Sequence, residues 1–203
     1  MAHFGKLQLE FEFDKQARLL ASKKLVIQDS LRSLRAKLPD KIVIPDTQLP
    51  FILVLPFSVA SFEQQLETVD LGNPKKAFSF LDTTHLGMYN GQITPDCPYL
   101  ICTVDDGAGH LEKSPDACRE LFKGTNRHGL TVEQGLALVH QHPKLLKHHC
   151  IHLAGSKITD PVTKREYVPA FDVYAKRLKM KREEPDDADH RWGSPSYGSL
   201  VTQ

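Results

Sequence analysis

Gly129-Leu-Thr-Val-Glu-Gln-Gly-Leu-Ala-Leu-Val-His-Gln-His-Pro143 carries a helix start, a helix stop and an apolar stripe in one short run. Thr131 can accept a hydrogen bond from the Gln134 amide while the Gln134 side chain reaches back to the Thr131 amide, satisfying two donors that a helix start leaves orphaned. Pro143 cannot continue the ladder, so the spacing predicts a helix over 131–141. Val132, Leu136 and Val139, with Leu138 beside them, recur at three- and four-residue steps and turn one face to a core.

Outward from this helix the signals alternate. Cys150-Ile-His-Leu-Ala154 and Tyr167-Val-Pro-Ala-Phe-Asp-Val-Tyr174 read as strands, joined by a loop with an Asp160-Pro161 turn signal. Upstream, Tyr99 to Val104 reads as another strand, and Asp105-Asp-Gly-Ala-Gly109 as a hairpin turn with a return strand at 110–113. Ser114-Pro115 opens a helix to Phe122, and residues 82–97 read as connecting loop. Lys41-Ile-Val-Ile-Pro45 and Leu49-Pro-Phe-Ile-Leu-Val-Leu-Pro56 are proline-bounded strands, the second better suited to burial. Ser61 and Asn73-Pro74 both offer helix caps.

Near the N-terminus, Leu7, Leu9, Phe11 and Phe13 alternate with polar residues as in a strand, yet the same residues can open a helix. Leu20, Ile27, Leu31, Leu34 and Leu38 then follow a helical stripe, as one long helix or two short ones, with Asp29 able to cap the second and Pro39 ending either. The whole predicts an α+β fold, mainly an antiparallel sheet with helices packed on it, as a single domain over 1–178. Residues 179–189 form a charged segment expected to be mobile in part, and 190–203 are expected to pack back on the domain through Trp192.

With 203 residues the chain can bury a core without staples, and 25% charged and 40% apolar residues are ordinary for a folded protein. Lys and Arg number 26 against 25 for Asp and Glu, which leaves no overall field for nucleic acid or an anionic membrane. The longest apolar run, Phe51 to Ala60, is broken by Pro56 and far shorter than the roughly 20 residues a bilayer span needs. Glutamates stand where a secretory leader needs apolar residues, and Cys97, Cys102, Cys118 and Cys150 form no C-x-x-C pair. The expectation is a cytoplasmic protein with reduced thiols, no membrane contact and no cofactor implied by any motif.

Phe13-Asp-Lys-Gln, Leu49 to Pro56, Tyr99-Leu-Ile-Cys-Thr-Val-Asp-Asp-Gly, Leu130-Thr-Val-Glu-Gln-Gly-Leu-Ala-Leu-Val, Leu153-Ala-Gly-Ser-Lys and Val168-Pro-Ala, in that order, resemble a family of uncharacterised bacterial proteins. Trp192-Gly-Ser194 is similar to that family's terminal Trp-x-Gly-Ser pattern, whereas the charged stretch from Lys179 to His190 replaces a Trp- and Gly-rich one. The resemblance implies a shared fold and carries no activity, cofactor or catalytic residue with it.

Gly124-Thr-Asn-Arg-His-Gly129-Leu-Thr131 has the glycine spacing of a phosphate-binding loop, but Leu130 stands where the lysine belongs and no strand is expected before it. An ordinary interhelical loop is the favoured reading, with Lys123 and Arg127 as candidates to hold an anion there. Asp105 and Asp106 at a strand end can hold Mg²⁺ or act as acid and base, although Asp-Gly is first of all a turn dipeptide. Histidines 140, 142, 148, 149 and 152 crowd Cys150 without a paired metal-ligand motif, so structural histidines are favoured over a metal site, those near 140 through the attraction of a cationic imidazole to a helix C-terminus.

Cys150 as nucleophile and Ser156 in a hydrolase triad both lack local support. Tyr174 and Trp192 beside the cations of 179–184 can stack on RNA, but the acids that follow cancel that charge. The function class favoured is therefore a non-enzymatic binder of a partner or small ligand, of unspecified identity. The rival is a small enzyme, with or without metal assistance, that gathers Asp105, Asp106, His149 and Asp172 from separate strands.

Overall fold

The computed structural model describes residues 1–202. Along the chain run β1 (Ala2–Gly5), α1 (Lys6–Ser22), α2 (Arg32–Ala36), β2 (Lys41–Ile44), β3 (Gln48–Val54), α3 (Phe62–Glu67), β4 (Phe78–Ser79), β5 (Leu86–Met88) and β6 (Tyr99–Asp105). Next come α4 (Pro115–Gly124), β7 (His128–Gly129), α5 (Val132–Gln141), β8 (Cys150–His152), β9 (Ser156–Thr159) and β10 (Glu166–Tyr174). The last strands are β11 (Arg177–Glu183), β12 (Trp192–Gly193), β13 (Ser196–Tyr197) and β14 (Ser199–Thr202).

Both halves of the expected capping box form at α5: Thr131 N–H donates to Gln134 Oε1 at 2.9 Å, and Gln134 N–H donates to Thr131 Oγ1 at 3.3 Å. The helix is buried on every side rather than along one stripe, Glu133, Gln134 and His140 included. Its all-round burial follows from its place between two sheets. Gly135 permits the close approach, since a Cβ there would stand 2.3 Å from Leu153 Cδ2 and 3.2 Å from Phe171 Cε2.

In the five-stranded sheet β6 lies in the middle, antiparallel to β3 on one edge and to β14 and β13 on the other, with β7 beyond β13. The seven-stranded sheet is organised by β10, antiparallel to β11, β8 and β9; β5 joins β9, while β4 and β12 add in parallel to β11 and β8. A two-stranded ladder of β1 and β2 completes the set. The fold is thus α+β and mainly antiparallel, as the sequence predicts.

Strand alternation divides the core. Ile52, Val54, Tyr99 and Ile101 face α5, which meets Ile151, Phe171, Leu178 and Met180 of the other sheet on its far side. Phe51, Leu53, Leu100 and Cys102 point the opposite way onto Leu9, Phe13, Ala17 and Leu20 of α1 and onto Leu31, Leu34 and Leu38. The layers therefore run helix, sheet, helix, sheet.

Several local expectations give way to tertiary context. Of the alternatives left open near the N-terminus, the helix forms over residues 6–22 and a separate short one follows, preceded by a 3-10 turn at Gln28–Leu31. Ile27 falls off the stripe and is 77% exposed, and Asp29 pairs with Arg32 instead of capping. Asn73 does not start a helix; its Oδ1 accepts from Lys75 N–H at 2.8 Å, closing a turn. Within 82–97, β5 pairs with β9 where only loop was expected. No return strand follows Asp105: Gly107, at φ 91°, leads into a 3-10 turn, because strands from elsewhere occupy both edges of β6. Much of the charged stretch after Lys176 is β11, in which Leu178 and Met180 enter the core while Lys179 and Lys181 take the other face.

Among the described residues no helix is long and apolar enough to cross a membrane.

A cationic cleft beside α4 and the other candidate residues

Asp105 ends β6 and Asp106 follows it; His149 reaches the Asp106 backbone, while the histidine beside the Asp105 carboxylate is His110, with Nδ1 3.8 Å from Oδ1. Asp105 Oδ1 accepts from Gly107 N–H at 2.8 Å and Asp106 Oδ1 from Ala108 N–H at 2.9 Å, so both carboxylates serve the turn that carries them. His149, 5% exposed, places Nε2 3.0 Å from the Asp106 carbonyl oxygen. Asp172 keeps other company: it accepts from the Cys150 thiol at 3.3 Å and from Val173 N–H at 2.7 Å, with Lys179 and Lys181 at 3.6 and 3.7 Å. Among the described residues no hydrogen bond or ion pair joins Asp172 to the other three.

The Cys150 thiol is pushed up to about 12, by burial first and by the Asp172 carboxylate next, which keeps it protonated. Ser156 is spent at the start of α5, where Oγ accepts from Val132 N–H at 3.1 Å. Trp192 is 5% exposed and stacks on His152 with 4.8 Å between centroids, while Lys181 lies 4.5 Å from its ring; this places it in the protein body, away from solvent. Among the described residues no three His, Cys, Asp or Glu side chains gather in a metal-binding arrangement.

His140 corrects the helix-dipole explanation. It is 4% exposed, with Nε2 2.9 Å from the Gln65 carbonyl oxygen and Nδ1 3.1 Å from Lys23 Nζ, so the ring donates at one nitrogen and accepts at the other. Burial, helped by the Lys23 charge, lowers its pKa to about 4, so the imidazole at this helix end is neutral.

Lys123 and Arg127 do come together. They line a cleft of about 590 Å³ with Arg119, Asn126, His128 and Tyr197. Arg119 and Lys123 stand one turn apart on α4, and Arg127 follows after the helix ends. Arg119 is fixed by bonds to the carbonyl oxygens of Ala154 (3.0 Å) and Ser156 (3.1 Å) and lies 3.7 Å over the Tyr89 ring. Arg127 donates to Ser196 Oγ at 2.8 Å and to the carbonyl oxygens of Thr103 (2.7 Å) and Ser196 (3.0 Å). Burial draws its pKa below the ordinary guanidinium value, against the attraction of Asp105. Lys123 has no hydrogen-bond or ion-pair partner among the described residues.

His128 and Tyr197 form a wall of two rings 5.2 Å apart and tilted by 30°. Gln92 Nε2 donates to the Tyr197 hydroxyl at 3.0 Å. The start of α5 takes no part, since the amides of Thr131, Val132 and Gln134 already have side-chain acceptors. Of the two glycines, Gly129 serves packing instead, since a Cβ there would stand 2.9 Å from the Gly155 amide nitrogen, whereas one on Gly124 would meet nothing within 4 Å. Arg119, His128 and Tyr197 were not singled out from sequence; the four-residue steps 119, 123 and 127 were the available signal.

These features define an α+β protein with one helix held between two sheets and, at the end of α4, a cleft lined by Arg119, Lys123 and Arg127 with one acid, Glu120. The model described as "Family of unknown function (DUF5701)" matches residues 17–183, most of the chain, and the chain belongs to that family. No curated protein matches it. No solved structure matches it either.

Proposed function

We propose that the protein is a non-enzymatic cytoplasmic protein that binds a small phosphate-bearing ligand in the cleft beside α4. The uncommitted ammonium of Lys123 carries this reading. Arg119 is paired with Asp116 at 2.9 Å and Arg127 is held by the Thr103 and Ser196 carbonyl oxygens, whereas Lys123 is free to meet the anion. The ring wall of His128 and Tyr197 suits a planar group on the same ligand. Four free cysteines support a reducing compartment, and the bacterial origin of the family resembled supports a bacterial source.

The rival enzyme has less support, because the amides of their own turn occupy Asp105 and Asp106 and because Asp172 belongs to a separate cluster. Inorganic phosphate and adenosine monophosphate serve as probes. Either should raise the melting temperature, since a ligand that prefers the native state stabilises it by mass action. Lys123→Glu should abolish the rise while leaving the ligand-free melting temperature unchanged. An equal rise in that variant, or none in the parent protein, contradicts the reading.

A further inference from the structure

A second cleft, of about 680 Å³, lies across the 3-10 turn at Pro143–Lys147 and the hairpin between β10 and β11. Its lining has two distinct characters. Leu71, Leu146 and Val173 give an apolar floor continuous with the main core, and Lys144, Lys147 and Lys176 stand at it as cations against one acid, Asp70. None of the three lysines has an ion pair or hydrogen bond among the described residues. Asp70 is engaged locally, accepting from Gly72 N–H at 2.7 Å.

The position of Lys176 is costly. It and Ala175 form the two-residue turn of the hairpin, with φ of 57° and 50°, a conformation that Asn-Gly adopts at less cost than Ala-Lys. Asn73 Nδ2 holds the turn by donating to the Ala175 carbonyl oxygen at 2.6 Å. A lysine is thus kept at the mouth of an apolar cleft on backbone that favours another residue.

We propose that this cleft binds a free amphiphilic anion, a carboxylate on a saturated chain of medium length. The chain lies against Leu71, Leu146 and Val173, and the carboxylate sits among Lys144, Lys147 and Lys176. Charge complementarity selects the head, since a neutral apolar ligand leaves three cations unanswered. The floor selects the tail, since a small hydrophilic anion leaves apolar surface wet. The volume lies within the range of small-molecule sites.

Decanoate, octanoate and acetate are titrated calorimetrically into the full chain, and vesicles containing phosphatidylglycerol are tested by co-sedimentation. Decanoate should bind at a single site about tenfold more tightly than octanoate, as two further buried methylenes require. Acetate and the vesicles should not bind. K144E/K176E, which changes two exposed side chains, should weaken decanoate about tenfold, and circular dichroism checks that it stays folded. K123E, in the other cleft, should leave decanoate binding unchanged, so this test stands apart from the phosphate reading. Acetate binding as well as decanoate, vesicle binding in place of decanoate, or full affinity in the folded K144E/K176E variant overturns the proposal.

Discussion

The Tyr99 hydroxyl donates to Oε1 of Glu133 across 2.8 Å, tying the middle strand of one sheet to the helix between the two. The other carboxylate oxygen accepts from Phe57 N–H at 2.9 Å, so a carboxyl group that is 4% exposed has both oxygens answered. Burial nonetheless raises its pKa, and the two hydrogen bonds oppose that rise. Tyr99→Phe removes one donor and leaves Oε1 buried without it. The expected loss is about 1–3 kcal/mol in urea unfolding, and a loss below about 0.5 kcal/mol contradicts the role given to this contact.

Two glycines should respond in opposite senses to alanine. At Gly155 the new Cβ meets backbone atoms of Gly129 and Leu130 that cannot rotate away, so G155A should cost about 2–4 kcal/mol. At Gly124, the last residue of α4, nothing lies within 4 Å and φ is not left-handed. G124A should therefore be neutral or stabilise by up to about 1 kcal/mol. Equal costs at the two sites would contradict the packing described between β7 and residues 154–155.

Stability should fall between pH 6.5 and about 4 in a way that depends on His140. Its native pKa is about 4 against an ordinary 6.5, so through that interval the unfolded chain takes up a proton that the native ring refuses. The contribution is complete above pH 6.5, declines as the pH drops and levels off below about 4. A shift of this size corresponds to about 3 kcal/mol. His152, lowered to about 4 by burial first, adds a second term of the same sign. H140Q should flatten the dependence of the urea midpoint on pH, and an unchanged slope would contradict the neutral, buried imidazole.

Cys150 should resist alkylation in the native protein at pH 8, because its thiol is held up at about 12. Iodoacetamide followed by peptide mass analysis should find it modified rapidly only after denaturation. Fast modification of the native chain would mean a thiolate that Asp172 does not permit.

The strands at 41–44 and 48–54 were legible because branched residues and bounding prolines mark them locally, and those at 99–105, 150–152 and 166–174 because short apolar runs stand beside turn signals. The caps at Ser61, Ser114 and Thr131 were legible for the same reason, as each uses its own third residue. What escaped depends on distant partners. β5, β12, β13 and β14 are two to four residues long and exist through strands far along the chain. In β11 only Leu178 and Met180 interrupt the charge, so composition hid the alternation. At the candidate site the cations Lys123 and Arg127 could be read from the loop, whereas Arg119, His128 and Tyr197 join them only through folding. Asp105, Asp106, His149 and Asp172 were grouped by residue type, and the structure divides them because hydrogen bonds to their own turns and strands decide where they point.

The account rests on α5 being the shared interior of both sheets, and native-state hydrogen exchange tests that most directly. Amides of Leu136 to Val139 should exchange only through global unfolding, with the same opening free energy as Ile101 in β6 and Phe171 in β10. Exchange of those α5 amides at a much lower opening free energy than either strand would show a helix that opens on its own and would contradict the layered core.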